Sequence, residues 1–389
     1  MTRRAFLSAL ATVFVLLCGL QSHVIAATSA SGPPTTPKDP GRLVRTTQIA
    51  PGVTYQRIYV KKIPRVTHVL TVDPSLASLE VAAAKPSLPG MATTSAMAAA
   101  GGALAAVNGD FGLAPGRPAH LFAHDGELYQ TSFLGASGRG FGIPSAGGTF
   151  QVGSTIPHIW LVDGASVSRI DTWNSGAPGT GALAAFSSWG GSLEKPPSDS
   201  CATRLMPVDP AWSAHGSGMS RAFTVDAVRC GVTPMPLQGG VVVAARQTGV
   251  GAAEIGALAP GDSVGLRWTL GWTDVTDVIG GGFALVKDGH VSVDAGCLSY
   301  LCQKQPRTGV GITAEGKIII IVVEGRYWRS RGVTPVQFAH MFVAQGAVDA
   351  LNLDGGGSST MVLDGDVVNF TSDGYERSVS SALLILPAT

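Results

Sequence analysis

The stretch that most constrains this chain runs from Val348 to Leu363. An apolar, strand-like run stops at Asp354. Gly355, Gly356 and Gly357 follow, then Ser358, Ser359 and Thr360, then a second apolar run. Glycine loses more backbone freedom on folding than any other residue, so three in a row are costly to order. In return they adopt positive φ angles and let backbone N–H groups approach a bound anion or sugar closely. Asp354 stands at the lip of that turn, where neighbouring N–H groups can hold a carboxylate. The three hydroxyl residues offer donors and acceptors to a polar ligand. The plain alternative is a β-turn with no ligand. Ligand groups concentrate on loops held by rigid elements, which favours a functional loop.

The residues just before supply such elements. Thr334-Pro335-Val336-Gln337 has the form of a capping box with proline at the first helical position. The spacing predicts a helix from about Pro335 to Gln345, with Phe338, Met341 and Phe342 on one side and Gly346 as its stop. The local order is therefore helix, strand, Gly-rich turn, hairpin strand.

The chain has 389 residues, 45% hydrophobic and only 14% charged, which is ample for a core and unlike a disordered protein. A net charge of +1 gives no electrostatic basis for nucleic-acid binding. With 51 glycines, many short strands and tight turns are expected. Residues 1–27 read as an export signal. Arg3-Arg4 precedes an apolar run from Ala9 to Leu20, and Val24-Ile25-Ala26 has the small-residue form of a cleavage site. The arginine pair with Phe6-Leu7 also fits a twin-arginine signal. The expected location is secreted or cell-envelope. No later stretch reaches the roughly 18 apolar residues of a membrane span.

Past the signal, Cys201, Cys230, Cys297 and Cys302 remain. Four cysteines in an exported chain suggest two disulfides, and nearest pairing gives Cys201–Cys230 and Cys297–Cys302. A four-cysteine zinc site is the rival, weakened by the absence of any Cys-x2-Cys pair.

Residues 28–45 read as a Pro/Ser/Thr-rich linker and 46–389 as the folded domain. Ala50–Lys62 and Val66–Ala84 form an opening hairpin, Pro86–Gly101 is an alanine-rich helix, and Ala103–Val107 is a buried strand. Residues 145–300 are short apolar strands broken by Gly, Pro and Asp, an inserted or elaborated β subregion. Its loosest part is Trp173–Trp212, expected as surface loop. Ile318–Val323 is a strand buried on both faces. The fold class expected is α+β, a mainly β core with a few packed helices and the site at strand ends.

Several strands end alike, in a polar residue beside glycine: Asn108-Gly109-Asp110, Glu324-Gly325-Arg326 and Asn352-Leu353-Asp354-Gly355. If these strands lie in one sheet, their ends converge on one pocket. It would hold Asp110, Glu324 and Asp354, two amides and Arg326, with Arg307 opening a neighbouring strand. Carboxylates serve acid/base or nucleophilic steps at a glycosidic bond. Arginine offers a fork for phosphate. Carboxylate and amide oxygens could also hold a metal, with Ca2+ the candidate. Asp110, Asp125 and Asp364, each beside a glycine, also fit the plain role of turn former, which is the stronger reading for Asp125 and Asp364. His120 and His124 make no recognisable metal motif. Ser358 and Ser359 lack the Gly-x-Ser-x-Gly elbow, which speaks against a serine nucleophile.

Asn352-Leu353-Asp354-Gly355-Gly356-Gly357-Ser358-Ser359-Thr360 closely resembles the signature of the phosphodiester glycosidase family. Ala106-Val107-Asn108-Gly109-Asp110-Phe111 is similar to its Asn-Gly-Gly-(Phe/Tyr)-Phe stretch. Pro306-Arg307-Thr308 and Glu324-Gly325-Arg326 look like its Pro-Arg-Thr and Asp-Gly-Arg elements, and Arg377-Ser378-Val379 like an arginine segment before its last strand. Asp110 replaces a glycine, Glu324 stands where Asp is usual, and residues 145–300 carry no anchoring motif. The resemblance implies hydrolysis of a sugar-1-phosphodiester, of N-acetylglucosamine type, to sugar and phosphomonoester. It implies Asp354 as the essential carboxylate with Glu324 second, and Arg307 and Arg326 on the phosphate. Asn108, Asp110, Thr308, Asn352, Gly355, Gly356, Gly357, Ser358, Ser359 and Thr360 would line the substrate. A non-catalytic cell-envelope glycan binder and a metal-dependent phosphodiesterase are the alternatives.

Overall fold

Alternation of buried and exposed residues builds this chain into four main β-sheets. The computed structural model describes residues 42–133, 138–145, 147–190, 200–209, 220–231, 235–246, 250–293 and 299–388. The expected export signal, most of the expected linker and Cys297 lie outside the described residues, so the expected Cys297–Cys302 pairing does too.

The main sheet has eight strands in the order Arg42–Ala50, Val53–Val60, Arg65–Val72, Ile318–Val323, Arg307–Thr313, Ala347–Asn352, Ala284–Lys287 and His290–Val291. Every neighbouring pair is antiparallel. Ile318–Val323 lies in the interior of this sheet and is buried on both faces, as its unbroken apolar run predicts. A second, five-stranded sheet runs Asp366–Val367, Met361–Leu363, Ala105–Asn108, Ser381–Pro387, Ala77–Ala83. The two sheets share one core. Val310, Ile320 and Val322 of the main sheet cluster with Val107, Leu383 and Ile385 of the second.

A helix covers the outer face of each. Pro335–Ala344 packs Phe338 and Phe342 with Ile319, Ile321 and Val323 on the far side of the main sheet. Thr334 caps it through the expected box with Gln337. The two aromatic rings approach the Arg307–Thr313 strand closely: a Cβ on Gly309 would fall 2.9 Å from Phe338 Cε1 and one on Gly311 2.9 Å from Phe342 Cδ1. Met97 of the Thr94–Ala100 helix packs with Ala106 and Leu384 of the second sheet. The result is a helix–sheet–sheet–helix stack, mainly β as expected.

Several expectations need correction. The alanine-rich helix spans Thr94–Ala100, not Pro86–Gly101, because Pro86 and Pro89 interrupt its start and Thr93 caps it. The opening region is four strands, Arg42–Ala50, Val53–Val60, Arg65–Val72 and Ala77–Ala83. The first begins inside the expected linker, where Val44, Thr46 and Thr47 favour extended backbone. Trp173–Trp212 is not all loop: Leu183–Phe186 and Ser200–Pro207 are largely buried strands.

Those strands belong to an eight-stranded sheet drawn from residues 158–269, which has its own core around Phe223, Leu266, Trp268 and Ile255. Cys201 and Cys230, directly opposite each other in it, form a disulfide, so neither thiolate is free for zinc. A further five-stranded sheet contains Phe122–His124 and Val275–Gly281.

Phe342→Ala should lower stability by about 3–5 kcal/mol, since a fully buried ring leaves a cavity against two glycines. Urea unfolding measures it. A loss below about 1 kcal/mol would mean that this interface is not packed as described.

Candidate active site

The Gly-rich turn is tied to both sheets. Asp354 N–H donates to the Gly109 carbonyl (2.9 Å), at the end of a second-sheet strand. Gly356 N–H donates to the Pro306 carbonyl (2.9 Å), at the start of a main-sheet strand. Gly356 has φ +63°, which glycine adopts without a Cβ penalty. The three polar strand ends thus do converge, but from two facing sheets rather than one, because Ala105–Asn108 pairs in the second sheet.

Many of the expected substrate contacts turn out to hold the fold. Asn108 is fully buried. Its amide donates to the Asp354 carbonyl (2.9 Å), and its Oδ1 accepts from Thr308 Oγ1 (2.8 Å) and Thr360 N–H (3.1 Å). Asn108 and Thr308 are therefore spent on the knot under the turn. Asn352 differs. Its amide donates to the Leu353 carbonyl, but its buried Oδ1 makes no hydrogen bond among the described residues. The hydroxyls of Ser359 and Thr360 are likewise buried and unpartnered there, whereas Ser358 bonds the Asp354 carboxyl.

Asp354 is the reactive-looking carboxyl. Burial pushes it up to about 6, against the pull of the Ser358 and Gly355 hydrogen bonds; the charge of Asp110 adds to the rise and Arg377 opposes it. Such a group exchanges a proton near neutrality. Glu324 is the opposite case. Its burial is outweighed by hydrogen bonds from His68 Nε2 (2.8 Å), the Tyr327 hydroxyl and Phe370 N–H (2.9 Å), so it is held below the usual carboxylate range. Tyr55 in turn bonds His68 Nδ1 (2.7 Å). This ionised, saturated group supports the architecture around the site. The carboxylate that acts on Asp354 is Asp110.

Asp110 does not face a ligand. Its Oδ1 accepts from Phe111 N–H (2.7 Å) and bonds His120 Nδ1 (2.7 Å), and its Oδ2 accepts from His120 N–H (2.7 Å). The His120 and Phe111 side chains stand against a second glycine triplet. A Cβ on Gly280 would fall 2.3 Å from His120 Cβ, and one on Gly282 3.0 Å from Phe111 Cε2.

The two expected phosphate arginines also part ways. Arg307 starts its strand with Thr308 pointing to Asn108. Its own guanidinium donates to the carbonyls of Val333 (3.3 Å), Leu301 (2.6 Å) and Gln303 (2.8 Å), and burial lowers it to about 10. It clamps the 299–305 segment. Arg326 lies on the turn: Nε donates to Gln305 Oε1 (3.0 Å) and Nη2 to the Tyr300 hydroxyl (3.2 Å), with Nη1 3.6 Å from Asp373. Arg377 Nε donates to Asp373 Oδ2 (3.1 Å). A Cβ on Gly356 would sit 3.0 Å from Arg326 Nη2, and one on Gly357 2.3 Å from Arg377 Nη2. Two guanidinium groups sharing one carboxylate therefore rest directly on the turn glycines. Among the described residues, no group of three or more His, Cys, Asp or Glu side chains is placed to hold a metal.

Sequence reasoning weighs His120 only as a metal ligand and does not single out His68, Asp373 or Gly280–Gly282. The second glycine triplet was visible by the same argument as the first. The histidines and Asp373 carry no local signal, because their partners are remote or in an irregular loop.

Residues 220–386 match the family model for phosphodiester glycosidase. Over that stretch the chain resembles the phosphodiester glycosidase family. A segment of 82 residues is 42% identical to the SPbeta prophage-derived uncharacterized protein YomE of Bacillus subtilis, covering 21% of this chain and 13% of that protein. A segment of 67 residues is 39% identical to N-acetylglucosamine-1-phosphodiester alpha-N-acetylglucosaminidase of Bos taurus, covering 17% of this chain and 12% of the relative. The chain thus spans only 12–13% of the length of these curated relatives. In fold, the chain is similar to a hypothetical protein from Synechocystis, with a TM-score of 0.71 at 21% identity over 89% of this chain and 64% of that one. Asn108, Asp110 and His120 all precede the stretch that the phosphodiester glycosidase model matches.

The raised carboxyl has a consequence for stability. A carboxyl raised by folding contributes stability below its unfolded value of 3.8, and that contribution is lost as pH rises through about 6. Asp354→Asn should therefore melt higher than wild type at pH 7.5 and lose that advantage by pH 4. The gain is bounded at about 3 kcal/mol. Melting curves at the two pH values test this, and an equal gap at both would refute the burial account.

Proposed function

We propose that the protein hydrolyses the glycosidic bond of a sugar-1-phosphodiester of N-acetylglucosamine type, releasing the sugar and a phosphomonoester. The observation that carries this reading is Asp354, held near 6 at a turn on which Arg326 and Arg377 rest. A phosphodiester bears one negative charge. Arg326, Asp373 and Arg377 together carry one positive charge, so they match it while keeping guanidinium edges for its oxygens. Asn352 Oδ1 is a ready acceptor for a sugar hydroxyl.

Asp354 serves as the base or nucleophile at the anomeric carbon. The departing phosphomonoester is a weak base, so it needs less acid assistance than an alcohol would. The name of the Bos taurus relative supports the sugar class, and the arginines support the phosphate. The expected export signal and the Cys201–Cys230 disulfide support action outside the cytoplasm.

The test is product analysis on the oxidised protein with an α-N-acetylglucosamine-1-phosphodiester, with and without chelator. Free N-acetylglucosamine and a phosphomonoester are expected in both lanes. Asp354→Asn should be slower by at least about 100-fold, and Arg377→Gln should chiefly raise KM. Sugar-1-phosphate as product would mean P–O cleavage, and binding without turnover would mean a glycan binder. Either result overturns the proposal.

A further inference from the structure

We infer that His120, oriented by Asp110, is the base that takes the proton from the water attacking the anomeric carbon. This rests on the reaction just proposed. It adds a group outside the segment that matches the family model.

The geometry is that of an oriented imidazole. Asp110 is fully buried and holds His120 at two points, the backbone N–H and ring Nδ1, both at 2.7 Å. A carboxylate on Nδ1 favours the tautomer with the proton there, so Nε2 carries the lone pair. Nε2 makes no hydrogen bond among the described residues, and the side chain keeps 12% of its surface open. The ring cannot easily swing away. Phe111 meets it edge-on at 6.1 Å, and Gly280 leaves room for it that no side chain would.

Its surroundings belong to the site. A Cβ on Gly282 would touch both Phe111 and, at 4.0 Å, the Asn352 amide. Asp354 N–H is bonded to Gly109, next to Asp110 in the chain, and its carboxyl feels the charge of Asp110. Asp110 bonds the ring directly, and the Asp354 carboxyl feels the charges of both Asp110 and Arg377. Among the described residues, the Asp110 carboxylate is held by the His120 ring and by the backbone N–H groups of Phe111 and His120.

The step balances. The water O–H bond breaks toward Nε2 as its oxygen bonds the anomeric carbon. With Asp354 as the nucleophile, the bond from that carbon to the Asp354 carboxylate, formed as the phosphomonoester left, breaks and returns its electron pair to Asp354. The imidazolium then returns its proton to solvent.

The experiment compares wild type, His120→Gln, His120→Ala and Asp110→Asn on the phosphodiester, with melting curves for each. His120→Gln should lose about 100- to 10,000-fold in kcat with little change in KM. Added imidazole should restore part of the rate to folded His120→Ala and none to His120→Gln, an effect that a structural role would not produce. Asp110→Asn, as a positioning variant, should lower kcat with little change in KM while remaining folded. If wild type turns over and folded His120→Gln keeps most of its rate, the base is wrong and the reaction stands. If wild type makes no product, both fall. His120→Gln fills the site and keeps the test decisive should His120→Ala melt.

Discussion

The side chain of Asn108 is the point on which the site depends. One buried amide joins the Asp354 carbonyl, the Thr308 hydroxyl and the Thr360 N–H, and so binds a second-sheet strand to a main-sheet strand and to both sides of the Gly-rich turn. Asn108, Thr308 and Thr360 are all buried, so removing one would strand polar groups without water. Everything that looks reactive is set relative to this knot: the Asp354 carboxyl above it, the arginines on its glycines, the Asp110–His120 pair beside it.

The charges around the knot are sorted by how each is satisfied. Glu324 has three strong donors and stays ionised. Asp110 has an imidazole and two backbone N–H groups. Arg307 has three carbonyls. Asp354 alone is short of compensation, and its proton affinity rises accordingly. A site needs one poorly satisfied group among well-satisfied ones, because only that group changes state easily.

The helix at Pro335, its capping box, the doubly buried strand and the Gly-rich turn were legible in the sequence, because each is specified by neighbouring residues. The convergence of Asn108, Glu324 and Asp354 was legible as repeated chemistry at strand ends. Their distribution over two sheets was not, since pairing partners hundreds of residues apart leave no local trace. Nor was the division of labour between Arg307 and Arg326. Both stand at strand ends, but side-chain direction decides that one clamps a loop and the other lies on the turn. Asp110 read as a turn former or ligand contact, and only the fold could show that it holds His120.

The three hydrogen bonds of Asn108 span 246, 200 and 252 residues. Closing loops of that size costs entropy before any contact repays it. Long-range pairing of this kind slows folding. The Ser381–Pro387 strand, which lies between Ala77–Ala83 and Ala105–Asn108, must arrive before the second sheet is whole. The centre around Asn108 is therefore complete only when parts of the chain from Asn108 to Thr360 and the Ser381–Pro387 strand are all in place.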